Sequence, residues 1–227
     1  MTFSRNMVLR LFHLGGPGRH KPVSRLFGFD RGEPVDRYYI RKALSRYSND
    51  VRGQVLEIGE ARYTNELGGE SVKRVEILHA EADNAAATMV GDLSTGEGIP
   101  EDVFDCIILT QTLNVIYDVK SAIMNVYKAL KPGGVVLATF PGITQISRYD
   151  MDRWGDYWRF TSLSARRLFE DVFGDDVHVE AFGNVSVATA FLYGFCAEEL
   201  TQKELDYIDP DYEVLLAVRA RKPGGES

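Results

Sequence analysis

The stretch RYDMDRWGDYWRFT, residues 148–161 and here called the aromatic segment, concentrates side chains that can bind and activate a small molecule. Its aromatic rings can form a stacking surface for a sugar or another ring, and Arg159 can hold an anionic group. Asp152 or Asp156 can act as a general base, a role that contributes about 10²–10⁴-fold to a rate. The stacking residues are Trp154, Tyr157 and Trp158. A structural role is equally open: the rings would cover the following helix, and Arg159 would pair with a core acid.

The stretch VLEIGEARYT, residues 55–64, has the form of the first strand and turn of a nucleotide-binding βα unit. It carries an acid at Glu57 and a glycine at Gly59, but Ala61 and Tyr63 stand where further glycines would follow. A dinucleotide needs those glycines, because its pyrophosphate must reach main-chain N–H groups at a helix N-terminus. The missing glycines therefore argue against NAD or FAD.

Strands alternating with helices must position these residues. Apolar runs predict strands at 54–58, 72–78, 104–109, 135–140, about 176–182 and 212–220. Helical spacing and capping residues predict a short helix from Asp36, one capped by Asp118 and ended by Pro132 to Gly134, one at 162–172 capped by Thr161, and one at 185–199. This alternation predicts an α/β fold with a doubly wound, Rossmann-like, mostly parallel sheet, helices on both faces and an N-terminal arm. Ligands of such sheets bind beyond the carboxyl ends of the strands.

Charge divides the chain into two predicted parts. We predict a basic arm with a lid helix over residues 1–45 and an acidic core domain over residues 46–227. The whole chain has a net charge of −7. The arm either lies on an acidic surface or meets an anionic substrate. An acidic body argues against nucleic-acid binding, and the apolar runs are too short to span a membrane. We expect a cytoplasmic protein with two buried, reduced cysteines, no metal site and, as one arrangement that the sequence allows, a homodimer.

Four motifs carry a resemblance to a known family. VLEIG, RVEIL, GDLSTGEGIPEDVFDCIIL and LKPGGVVLATFPG follow one another over about residues 54–141. In this order and spacing the chain resembles class I methyltransferases that use S-adenosylmethionine, with a degenerate glycine-rich motif, and the resemblance implies a seven-stranded sheet. That cofactor contains no phosphate, so one tight turn with side chains can hold its amino acid portion. The missing glycines are therefore a smaller obstacle here than for a dinucleotide.

The resemblance implies a role for individual positions. Glu57 and Gly59 would lie near the amino acid part of the cofactor, and Glu76, as the acid ending the second strand, would bind both ribose hydroxyls. Asp92 would meet the adenine ring. The cofactor-binding residues predicted in this way are Glu57, Gly59, Glu60, Ala61, Glu76, Ile77, Asp92, Leu93, Thr110 and Gln111.

The acceptor is predicted only as a class. The resemblance extends to methyltransferases of bacterial sugar and polysaccharide pathways, which implies O-methylation of a small molecule: a saccharide, a nucleoside or a glycosylated natural product. An anionic acceptor is one of the options. Asn114 would face the substrate or cap the next helix, and Tyr38 would close the site or simply pack. Two alternatives stay open, an N-methyltransferase and a non-catalytic binding or scaffold protein that has lost the donor site.

Overall fold

The structure, a computed structural model, describes residues 20–82 and 84–225. Its seven strands form one sheet in the order β3-β2-β1-β4-β5-β7-β6. The strands are β1 Gly53–Ile58, β2 Val72–His79, β3 Met89–Val90, β4 Phe104–Thr110, β5 Leu130–Pro141, β6 Val177–Phe182 and β7 Leu215–Arg221. The α-helices are α1 Val35–Ser45, α2 Arg62–Leu67, α3 Val119–Ala129, α4 Arg148–Met151, α5 Ser162–Phe173, α6 Val185–Tyr193 and α7 Gln202–Asp206.

The sheet is mixed but mostly parallel. The pairs β1·β2, β1·β4, β2·β3 and β4·β5 all run parallel. Strand β7 runs against β5, because the Lys222 N–H donates to the Gly134 carbonyl at one end while the Ile143 N–H donates to the Glu213 carbonyl at the other. The predicted Rossmann-like α/β fold is confirmed.

The two central strands form the core of the sheet. Residues 106–109 of β4 and 135–138 of β5 are all buried, as expected for strands covered on both faces. Cys106 lies within this run, and burial raises the pKa of its thiol. Cys106 and Cys196 are both free and buried, which confirms the prediction for the cysteines.

Local capping fixes the helix starts as the sequence predicts, whereas two helix ends differ. The Asp118 carboxylate accepts a hydrogen bond from Ser121 N, and Thr161 Oγ1 accepts one from Ser164 N. Helix α3 stops at Ala129 rather than at Pro132 to Gly134, because Leu130 already adopts an extended conformation and opens β5. Helix α6 stops at Tyr193 rather than near 199, because Gly194 adopts the left-handed conformation that ends helices.

The chain divides into two compact units. The smaller takes the described residues up to Tyr39 together with Ile143–Gln145 and Ala181–Leu215, and the rest of the chain forms the larger. Within the smaller unit the Tyr39 hydroxyl donates to the Leu205 carbonyl. The predicted boundary between residues 45 and 46 stays a prediction, and residues 1–19 of the basic arm lie outside the described part. No helix of the described residues is long and apolar enough to cross a membrane.

Candidate active site

The larger unit presents the carboxyl ends of five parallel strands at one edge. Strands β1, β2, β3, β4 and β5 end there at residues 58, 79, 90, 110 and 141. Open α/β sheets bind their ligands beyond this edge. The predicted cofactor residues lie in or directly after these strands, so the sheet brings them to one side of the unit.

The loop after β1, residues 59–61, is built around a buried carboxylate. Glu57 Oε1 accepts a hydrogen bond from Tyr63 N at 2.9 Å, and Oε2 accepts one from Thr64 N at 2.8 Å. The carboxylate thus caps the first turn of α2, where main-chain N–H groups lack a partner within the helix. Burial raises the pKa of Glu57, against the opposing effect of these hydrogen bonds. Glu57 therefore fixes the loop from beneath.

Gly59 leaves open space above that loop. Its φ of +78° favours glycine, and a Cβ built on it would meet nothing within 4 Å. Its main chain is held by hydrogen bonds to Leu78 O and from Asn84 Nδ2. Tyr63 lies within α2 with its ring buried, not in the turn. Tyr63 therefore does not occupy the turn position where a further glycine would follow, because it belongs to α2 and its ring is part of the core.

Glu76 is not at the end of β2. The strand continues three residues further, to His79. The Glu76 carboxylate is nearly buried, accepts a hydrogen bond from Thr88 Oγ1 and pairs with Arg74. The prediction that Glu76 ends the second strand is therefore wrong. Ribose binding by Glu76 or by the neighbouring Ile77 stays a prediction.

Asp92 and the end of β4 supply free polar groups at the same edge. Asp92 Oδ1 accepts hydrogen bonds from Ser94 N and Oγ, while Oδ2 accepts none within the described residues. Leu93 is buried beside it. After Thr110, Gln111 adopts a φ of +51°, a strained conformation for a residue other than glycine. Strain of this kind is a frequent property of functional sites.

Asp156 is the centre of the aromatic segment. Its Oδ1 accepts from Asn114 Nδ2 at 3.2 Å and from Arg159 Nη1 at 2.7 Å. Its Oδ2 accepts from Ser147 N at 2.9 Å and from Arg159 Nη2 at 2.7 Å. Burial by itself would raise the pKa of this carboxyl, but the hydrogen bonds from Arg159, Ser147 and Asn114 outweigh it and lower the pKa. These contacts favour a positioning role, while Asp152 is exposed; base catalysis by either acid stays a prediction.

The aromatic residues of the segment separate into two clusters. Trp154 contacts His79 at the end of β2 edge to face, with ring centroids 6.1 Å apart, and it also meets Tyr149. Tyr157 and Trp158 instead meet Tyr117, at 5.4 and 5.8 Å. The stacking surface expected from Trp154, Tyr157 and Trp158 is therefore not one surface, because Trp154 faces a different strand.

The aromatic segment consequently crosses the edge of the sheet. At one end Trp154 reaches His79 after β2, and at the other the N–H groups of Tyr157 and Trp158 donate to the Asn114 carbonyl after β4. Strand β1 lies between β2 and β4. The two ends of the segment thus lie on either side of β1, at whose end Gly59 leaves its open space.

Tyr38 belongs to the smaller unit. Its hydroxyl accepts a hydrogen bond from Gln202 Nε2, and its ring meets Tyr39 edge to face. A role for Tyr38 in substrate binding stays a prediction.

Comparison with known proteins agrees with this geometry. Residues 33–171 match a family model described as a methyltransferase domain. The chain belongs to this family. The prediction of a class I methyltransferase domain that uses S-adenosylmethionine is confirmed. A comparison with curated proteins found no match.

Solved structures show the same fold as this methyltransferase at low sequence identity. A SAM-dependent methyltransferase from Archaeoglobus fulgidus is 14% identical with a TM-score of 0.54, over 82% of this chain and 94% of that one. One from Mesorhizobium loti is 18% identical with a TM-score of 0.54, over 83% and 98%. A phosphoethanolamine N-methyltransferase 2 from Haemonchus contortus is 15% identical with a TM-score of 0.54, over 97% of this chain but only 58% of its own.

The sequence of this methyltransferase alone did not identify His79 and Tyr117 as the residues that the aromatic segment contacts. His79 could have been found from its place after the last apolar residue of RVEIL. Tyr117 carries no such signal, because its partners Tyr157 and Trp158 are distant in the chain.

Proposed function

We propose that the protein is an O-methyltransferase that acts on a hydroxyl of a small molecule, with a saccharide, nucleoside or glycosylated natural product as acceptor class. The Asn114 side chain carries this proposal. Its Nδ2 donates to Asp156, whereas its Oδ1 is buried and accepts no hydrogen bond from the described residues. A buried carbonyl oxygen without a donor costs roughly 1–3 kcal/mol. An acceptor hydroxyl beyond β4 would supply the donor.

The groups at the edge of the sheet fit S-adenosylmethionine. The open space over Gly59 admits the amino acid portion, and the exposed Glu60 beside it suits an ammonium group. The free Oδ2 of Asp92 can accept from the adenine amino group, and Ala61 adds no bulk. Thr110 and the side-chain amide of Gln111, which makes no hydrogen bond within the described part, would form the wall beyond β4.

When bound, S-adenosylmethionine supplies a methyl group on a positively charged sulfur, ready for in-line displacement. The chain's own contribution is positioning, which can account for a large part of a barrier when the nucleophile is held close and aligned. Asn114 Oδ1 would orient the acceptor hydroxyl. Of the two predicted bases, Asp152 is the better candidate, because both Asp156 oxygens already accept two hydrogen bonds each. The aromatic segment would exclude water from the edge.

Two measurements test this function. Calorimetry with S-adenosylhomocysteine should show binding that Asp92→Ala weakens, and heat that is absent at millimolar ligand would overturn the donor assignment. Transfer of a labelled methyl group should then be followed with pyranosides, nucleosides and amines as acceptors.

We expect the label on an ether oxygen and a large loss of turnover in Asn114→Ala, with donor affinity kept. Asn65→Ala, at an exposed position of α2, is the matched control and should behave as wild type. Label on amines alone would favour the N-methyltransferase alternative over a hydroxyl acceptor.

A further inference from the structure

Three aromatic side chains of the larger unit lie exposed in the segments that follow the carboxyl ends of β4 and β5. Tyr117 is 72% exposed, Tyr157 50% and Trp158 38%. Tyr117 and Trp158 are stacked with an interplanar angle of 29°, and Tyr157 meets Tyr117 at 72°. We call these three residues the aromatic platform. Exposure of apolar rings to water is unfavourable. A cluster of exposed rings therefore usually marks a surface that a ligand covers.

The rings of the platform are held in place. Trp158 Nε1 donates to the Ile116 carbonyl at 3.1 Å. Tyr157 N donates to the Asn114 carbonyl at 2.8 Å. The Tyr157 ring lies against Gly155, where an added Cβ would come within 2.4 Å of the ring. A surface whose side chains are fixed before binding loses little conformational entropy on binding.

The platform stands directly beside the proposed acceptor position. Tyr117 follows Asn114 by three residues, and the Asn114 carbonyl holds the N–H groups of both Tyr157 and Trp158. A molecule resting on the rings therefore lies next to the segment that carries the unsatisfied Oδ1 of Asn114.

The chemistry of the platform selects the ligand. The charged groups beside the platform already have partners within the protein. The Asp118 carboxylate caps α3, and the Arg159 guanidinium pairs with Asp156. Neither the Tyr117 nor the Tyr157 hydroxyl forms a hydrogen bond with any residue of 20–82 or 84–225. The stacked rings already touch each other, so no slot for a flat base remains between them. An outer ring face beside free hydroxyls suits an uncharged ring with an apolar face and hydroxyl groups at its rim.

We propose that Tyr117, Tyr157 and Trp158 bind the acceptor as a neutral pyranose, stacked on the platform with one hydroxyl directed toward Asn114. This proposal rests on the proposed function and narrows its acceptor class from small-molecule hydroxyls to saccharides. It also separates recognition of the acceptor, by Tyr117, Tyr157 and Trp158, from recognition of the donor at the ends of β1 to β4.

Saturation-transfer NMR on the full chain tests the platform directly. The probes are methyl α-glucopyranoside, methyl α-galactopyranoside, methyl α-mannopyranoside and methyl α-rhamnopyranoside, each with saturating S-adenosylhomocysteine. We expect transfer to the ring C–H protons of at least one pyranoside. Tyr117→Ala should weaken its binding roughly fivefold or more, since one stacking face is lost. Tyr207→Ala, which removes a tyrosine of similar exposure in the smaller unit, should leave it unchanged.

A second variant reaches the platform without removing a ring. Gly155→Ala should displace the Tyr157 ring and weaken the pyranoside signal, while calorimetry with S-adenosylhomocysteine should give the wild-type affinity for Tyr117→Ala. Wild-type donor binding with no pyranoside signal, or a signal that survives both variants, overturns the platform proposal and leaves the proposed function standing. Stronger transfer to choline or adenosine than to every pyranoside overturns it as well, in favour of a cation or a flat ring.

Discussion

Two buried carboxylates stabilise the region around the carboxyl ends of the strands in different ways. Glu57 lies under the loop after β1 and accepts two main-chain N–H groups, from Tyr63 and Thr64. Asp156 lies in the aromatic segment and accepts from a guanidinium, an amide side chain and a main-chain N–H. The pKa of Glu57 is raised by burial, whereas that of Asp156 is lowered by its hydrogen bonds, which outweigh the effect of burial.

The difference shows what a buried charge needs. Two neutral dipoles hold the Glu57 oxygens in place but do not fully replace the lost water, so the charged form is less favourable than in water and the pKa is raised. A bidentate arginine does compensate, and Asp156 is stabilised as an anion. The loop after β1 and the aromatic segment therefore respond to pH in opposite directions.

Of the changes considered, removal of the Asp156 carboxylate should lower the free energy of unfolding most strongly. Asp156→Ala leaves the Arg159 charge and the Ser147 N–H without their partner, so we expect a loss of about 3 kcal/mol in the free energy of unfolding. Urea denaturation measures this loss. Asp152→Ala removes an exposed carboxylate of the same segment and should change the stability by less than about 0.5 kcal/mol. Equal effects of the two variants would contradict a special role for Asp156.

Glu57→Gln should have a smaller effect. The amide keeps one acceptor oxygen, but its NH₂ group faces the other main-chain N–H of α2. We expect a loss of about 1–2 kcal/mol in the free energy of unfolding, the cost of one unsatisfied buried donor. Glu60→Gln changes the exposed neighbouring carboxylate and should leave the denaturation midpoint where it is. A fully stable Glu57→Gln protein would mean that the carboxylate does not hold the loop.

The pH dependence of these effects should have opposite signs. The stability from Asp156 is present above its ordinary pKa of 3.8 and is lost as the pH falls through the lowered value. The stability involving Glu57 is present below 4.5 and is lost as the pH rises through the raised value. Each slope is at most about 1.4 kcal/mol per pH unit for one proton.

Urea midpoints between pH 3 and 7 check these signs. The gap between wild type and Asp156→Asn should narrow as the pH falls below about 4. The gap between wild type and Glu57→Gln should narrow as the pH rises. If the urea midpoints of both variants instead differ from wild type by the same amount at every pH, the inferred electrostatic difference between Glu57 and Asp156 is wrong.

Gln111 offers the smallest and most selective change, because strain rather than charge is altered. Gln111→Gly permits the positive φ at no steric cost and should stabilise the fold by up to about 1 kcal/mol. The same variant should lower methyl transfer, since the amide after β4 is removed. Thermal denaturation and turnover on one preparation measure both. A stabilised protein with unchanged turnover would show that the strain has no part in the reaction.

The sheet could be predicted from the sequence because its signals are local. The runs FDCIIL and VVLATF are apolar throughout, and buried parallel strands require that pattern. Asp118 and Thr161 cap helices through contacts with residues close by in the chain. The predicted end of α3 is too late because Pro132 to Gly134 are as compatible with the first residues of a strand as with the end of a helix.

The candidate site was only partly predictable, because its contacts join distant segments. The donors to Asp156 come from Asn114, Ser147 and Arg159, which the fold must first bring together. Likewise Tyr117 meets Trp158, and Trp154 meets His79, only in the folded chain, because these partners are distant in sequence. Glu76 was placed by motif spacing, yet β2 extends beyond it, and spacing alone does not fix where a strand ends.

The way in which the aromatic segment is attached has a consequence for how amide protons exchange with solvent. Ile107 and Ile108 lie in β4 between two bonded neighbours, so their amides should exchange only when the whole sheet unfolds. The N–H groups of Tyr157 and Trp158 are bonded to a single carbonyl outside the sheet, that of Asn114. They should exchange through a local opening of much lower free energy. Hydrogen exchange should therefore report the attachment of the aromatic segment separately from the stability of the sheet, because the two sets of amides exchange through openings of different size.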